Sequence, residues 1–91
     1  MIKVAILAYV LFKVASGTEG EVAQKLIELD EVLVADVVFG EYDVVARVAV
    51  EDIETLEEFV SERIRAVQNV LVTSTMIISK EFKDKNGRAK K

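Results

Sequence analysis

A chain of 91 residues can bury one hydrophobic core and is too short for a second, so it reads as a single domain. It contains neither Cys nor His, which removes disulfides, zinc fingers, thiol nucleophiles and imidazole acid–base catalysis together. The net charge of −4 is unevenly spread: residues 80–91 hold six Lys and Arg against Glu81 and Asp84, a net of +4, so residues 1–79 carry −8 and make a poor grip for a phosphate backbone.

Only carboxylates are left as metal ligands, and no metal or cofactor is expected. No apolar run reaches the roughly 18 residues of a membrane span. The opening MIKVAILAYVLF lacks a strong basic n-region and a small-residue cleavage site, so it is expected to be a strand of a cytoplasmic protein rather than a leader.

Residues 2–14 alternate Val4, Ile6, Ala8, Val10, Phe12 and Val14 with Ala5, Leu7, Tyr9 and Leu11, apolar on both faces, and such a strand must be covered on both sides. Ser16-Gly17 ends it. Thr18 and Glu21 match a capping box for a helix over about 18–29, whose stripe is Val22, Ala23, Leu26, Ile27 and Leu29.

Residues 32–50, VLVADVVFGEYDVVARVAV, are two β-rich runs broken once by Gly40-Glu41-Tyr42-Asp43, which predicts a hairpin. In the return strand Val44, Ala46, Val48 and Val50 take one face, the core face, and Val45, Arg47 and Ala49 the other. Asp52 can cap a second helix whose apolar positions are Ile53, Leu56, Phe59, Val60, Ile64 and Val67. Asn69 suits the left-handed residue past a helix end, and residues 70–79 form a last strand. The domain is expected to span residues 1–80. Residues 81–91 are expected to be a basic, flexible tail dispensable for folding and assembly.

The order is βαββαβ, an α+β arrangement. Right-handed crossovers place both helices on one face of a four-stranded antiparallel sheet of order 4-1-3-2, the ferredoxin-like topology. The other face is then bare, and Leu7, Tyr9 and Leu11 lie on it. Each large side chain buried there would contribute about 1.5 to 3 kcal/mol, so a partner is expected, most simply a second copy packed sheet to sheet about a two-fold axis.

Two stretches could carry chemistry. Gly40, Tyr42 and Asp43 lie in a turn whose Asp could simply cap its own backbone. Alternatively, exposed N–H groups beside Gly40 could hold a carboxylate while Asp43 accepts from an ammonium, the two ends of an α-amino acid. Thr73, Ser74 and Thr75 are adjacent hydroxyls that either reflect β-propensity or bond the same ligand. The Glu residues of the helices read as solvated faces.

These residues carry a likeness. AYVLFKV, GEYDVVARV, LEEFVSERIRAV and NVLVTSTMII, over about residues 5–79, resemble the effector (RAM) domain of the Lrp/AsnC transcription regulators, with the Gly-x-Tyr-Asp turn the most specific part. Full-length members carry an N-terminal helix-turn-helix domain and this sequence begins at the first strand, so it resembles the stand-alone members, and direct DNA binding is not expected. The resemblance implies a sheet-to-sheet dimer, often assembled further into a ring of four dimers. It also implies amino-acid effectors bound between dimers by Gly40, Tyr42, Asp43 and the segment Thr73, Ser74 and Thr75, and a helix-turn-helix Lrp/AsnC regulator as a possible partner. A small enzyme of the dimeric ferredoxin-like kind acting on a hydrophobic substrate, with Asp43, Tyr42, Arg47 or Glu as acid–base groups, and a pure assembly module are the competing readings.

Overall fold

In a computed structural model that describes residues 6–82, β1 (Ile6–Val14), α1 (Glu19–Ile27), β2 (Val32–Val37), β3 (Val44–Val50), α2 (Ile53–Glu58), a π-helical segment (Phe59–Ile64) and β4 (Val70–Ile77) follow one another. Val4, Ala5 and the tail from residue 83 lie outside the described residues. The sheet is antiparallel with order β2-β3-β1-β4, the expected ferredoxin-like topology.

Alternation decides which face is the core. Ala8, Val10 and Phe12 of β1 and Val44, Ala46 and Val48 of β3 are fully buried, and Phe12 pairs with Val44, Val10 with Ala46 and Ala8 with Val48. Opposed residues of an antiparallel pair point to one side, so these form a continuous apolar layer. Val22 and Leu26 of α1, Leu56 of α2, and Phe59 and Ile64 of the π-helical segment close over it.

Asp52 caps α2 as expected, its Oδ1 accepting the Thr55 N–H at 2.8 Å, and Asn69 has φ of 74° where the chain turns into β4. Two expectations are corrected. Thr18 makes no capping-box bond; its hydroxyl donates to the Ala15 carbonyl at 2.6 Å, so it closes the turn before α1 instead of capping the helix. The second helix is not a single α-helix, because Phe59 and Ile64, both buried, stand five residues apart, one turn of the i→i+5 ladder that follows α2.

The face opposite the helices carries Leu7, Tyr9 and Leu11 of β1 with Ala49, Arg47 and Val45 of β3 beside them, and Met76 and Ser74 of β4 on the other flank. Leu7, Tyr9 and Leu11 are half-buried, and Val72 and Met76 are about half exposed. Among the described residues no helix is long and apolar enough to cross a membrane.

Candidate functional site

The β2–β3 connection is residues 38–43. Gly40 has φ of 148°, and a Cβ there would meet no atom within 4 Å, so the backbone conformation rather than space selects Gly. The Val38 N–H donates to the Asp43 carbonyl at 2.9 Å and closes the loop, while the Asp43 N–H donates to the Phe12 carbonyl at 2.8 Å and ties it to β1. The Asp43 side chain then reaches one step further along β1, its Oδ2 accepting the Val14 N–H at 2.9 Å. The register of β1 against β4 shifts between Lys13 and Val14, and the carboxylate satisfies a strand-end donor there. Asp43 therefore caps a neighbouring strand and not its own turn.

Tyr42 is half-buried with the Lys13 Nζ 5.6 Å from its ring centre, while Phe39, Gly40 and Glu41 are exposed.

Thr73, Ser74 and Thr75 lie opposite Phe12, Leu11 and Val10 across β1·β4. Their faces follow from their partners: Thr73 and Thr75 point to the helix side and Ser74 to the open side. Thr75 lines a groove of about 500 Å³ with Ile53, Val60, Ser61, Arg65 and Ile77. Thr73 sits at the same end of the sheet as Asp43, but β1 runs between them, and two strand spacings amount to about 10 Å. Asp43 and Tyr42 thus share one corner, Thr73 flanks it across β1, and a single copy brings neither Ser74 nor Thr75 to it.

The central charge of the open face is Arg47. Its guanidinium lies 5.6 Å from the Tyr9 ring centre and bonds the Glu81 carboxylate at 2.5 Å. On the helix side Arg63 bonds Glu31 at 2.8 Å. A wider groove of about 1120 Å³ runs between α1 and the π-helical segment, lined by mixed polar groups including Glu21, Lys25, Glu62 and Arg63. The open-face pair escapes sequence reasoning because its partners stand 34 residues apart; the signal on offer was a single Arg among apolar side chains of β3. Among the described residues no cluster of three or more Asp, Glu, His or Cys could hold a metal.

The family model of the Lrp/AsnC ligand binding domain matches residues 7–87. The chain belongs to the Lrp/AsnC ligand-binding-domain family. Its relatives include the HTH-type transcriptional regulator FL11 of Pyrococcus furiosus, 34% identical over 87% of this chain and 52% of that protein. The regulator Ptr1 of Methanocaldococcus jannaschii is 38% identical over 70% of this chain and 43% of its own length. The chain spans about half the length of the curated relatives it matches. Among solved structures, protein PHS023 of Pyrococcus horikoshii superposes with a TM-score of 0.78 at 39% identity, covering 85% of this chain and 93% of that one. The regulator NMB0573 of Neisseria meningitidis, solved as a complex with L-Met, shares the Lrp/AsnC fold at a TM-score of 0.79, at 20% identity over 88% of this chain and 53% of its own.

Proposed function

We propose that this chain is a non-enzymatic amino-acid sensor that assembles with copies of itself, alters its assembly on binding, and acts with a helix-turn-helix Lrp/AsnC regulator in controlling genes of amino acid metabolism. The observation that carries the reading is the corner built by Gly40, Tyr42 and Asp43. There, an ordered loop presents exposed backbone beside a carboxylate that one N–H of β1 already orients. An ammonium received by Asp43 and a carboxylate received by loop N–H groups are the two ends of an α-amino acid. The separation of this corner from Thr73, Ser74 and Thr75 within one copy favours a site shared between copies, the loop of one meeting β4 of another. Leu7, Tyr9 and Leu11 form the face through which two copies pair. The L-Met complex of the Neisseria relative supports the ligand class.

A thermal-shift screen over the proteinogenic amino acids tests this. An effector held at 100 times its dissociation constant stabilises the folded state by about 2.7 kcal/mol, which moves the melting temperature clearly. One or a few amino acids should shift it, and a flat result across the whole set overturns the sensor.

One observation favours a second reading. The Asp43–Val14 bond explains Asp43 without any ligand, as a pure assembly module would. That module would assemble fully while showing no shift with any amino acid.

A further inference from the structure

Arg47 stands near the middle of an otherwise apolar field. Leu7, Tyr9, Leu11, Val45, Ala49 and Met76 surround it, whereas the other charges of this face, Lys13 and Asp36, lie at the end of β1 and on the edge strand β2. A lone cation there would suit an acidic partner and would repel a copy of itself, because a two-fold interface brings the same patch to both sides. The chain does not leave it alone. After the Ile78 N–H donates to the Leu7 carbonyl at 2.8 Å, the backbone turns onto the open face and sets the Glu81 carboxylate on Arg47. The guanidinium is held between that carboxylate and the Tyr9 ring, and its Nε is shielded from solvent without a hydrogen-bond partner. Phe82, the next residue, is 86% exposed on the same strap.

We propose that residues 78–82 belong to the interface between copies of this chain, with Glu81 as the counter-ion that neutralises Arg47 and so makes the centre of the open face compatible with itself. The proposal rests on the sheet-to-sheet pairing of the previous section. The energetics give Glu81 two different weights. In a single copy the pair is partly solvated, its side chains 31% and 43% exposed, and pairs open to water contribute little. Once a second copy covers the face, removing Glu81 leaves a buried, uncompensated guanidinium, which is strongly unfavourable. Glu81 is thus nearly silent in folding and decisive in association, contrary to the expectation that residues 81–91 are dispensable.

The test uses the full chain and its dimer dissociation constant, measured by sedimentation over a dilution series, with circular dichroism confirming the fold of each variant. Glu81→Gln should keep the fold and weaken association about 100-fold or more. Arg47→Met combined with Glu81→Gln should restore it to within about tenfold of the native value, since an apolar isostere needs no counter-ion. Association unchanged in Glu81→Gln, or not restored in the double variant, overturns the counter-ion role. Leu11→Lys separates this from failure of the pairing itself: if the native chain is monomeric throughout, or if Leu11→Lys associates as well as the native chain, the sheet-to-sheet pairing falls and takes the proposal with it. If Leu11→Lys dissociates and Glu81→Gln does not, only the role of Glu81 falls.

Discussion

The two faces of the sheet are built from neighbouring residues of the same strands and differ in kind. The covered face is apolar and closed across the two central strands β1 and β3, with Ala8, Val10, Phe12, Val44, Ala46 and Val48 fully buried under the helices. The open face is apolar too, but it interleaves Tyr9, Arg47 and Ser74 with Leu7, Leu11 and Val45, and its side chains keep partial exposure. A face meant only for water would be polar; one meant only for a core would carry no Arg. Apolar surface with a paired charge near its centre suits an interface, where burial drives contact and the paired charge restricts what can be contacted. The comparison teaches that period-two alternation lets neighbouring residues of the same strands give the two sides of a single sheet different compositions.

The largest effects separate the two faces at adjacent positions. Phe12→Ala empties a fully buried site and should cost about 3 to 5 kcal/mol of folding stability, read from urea denaturation. Leu11→Lys, one residue away, should leave the fold intact and yield smaller particles by light scattering. In the proposed pairing it buries an uncompensated charge on each copy, which costs several kcal/mol and so about 100-fold or more in association. If both substitutions unfold the chain alike, the division of labour between the faces is wrong.

Asp43 sharpens the comparison at the corner where the sheet meets its loop. Asp43→Ala removes the acceptor of the half-buried Val14 N–H and should cost about 1 to 3 kcal/mol in chemical denaturation. Asp43→Asn retains a carbonyl oxygen for that donor and loses the charge, so folding should change little. A bond from a charged group contributes about 1.5 to 3 kcal/mol, which makes the expected loss of effector binding roughly 10- to 150-fold by calorimetry on the assembled oligomer. Binding unchanged in Asp43→Asn would leave the residue a purely structural strand cap.

Much of this organisation was legible in the sequence, and the limits have physical causes. Alternation in residues 44–50 identified the core face of β3, since period two has one solution once a side is apolar, while residues 6–14, apolar on both sides, were legible as a strand that needs cover on both. The register of β4 divides Thr73 and Thr75 from Ser74, which the reading of three adjacent hydroxyls on one ligand had grouped, because neighbours in a strand point oppositely whatever their shared chemistry. Bonds between distant residues were not legible: Asp43 to Val14 spans 29 positions and Arg47 to Glu81 spans 34. Nor was the π-helical segment, since Leu56, Phe59, Val60, Ile64 and Val67 fit an α-helical stripe equally well and only the buried pair Phe59 and Ile64 reveals the wider turn. Thr18 failed as a cap because a hydroxyl can bond backwards to Ala15 as readily as forwards into the helix.

The smallest effect concerns what holds the covered face shut. Asp52 starts α2, and hydrogen bonds from Thr55, its side chain first and its backbone N–H second, hold the carboxyl below its ordinary value of 3.8. A carboxyl whose value is lowered on folding stabilises the native state above the unfolded value, and that contribution fades as the pH falls through the folded one. The native chain should therefore lose a small part of its stability below about pH 3.8, while Asp52→Ala, lacking the cap at every pH, should lack that part from neutrality downward. Asp52→Asn, which keeps an acceptor for Thr55 without a titrating group, should hold its cap through the same range. Urea midpoints of the three proteins near neutrality and below pH 3.8 decide it: the native and Asp52→Ala curves should converge on acidification, and a constant gap between them would show that the charge of Asp52 contributes nothing to holding α2 over the core.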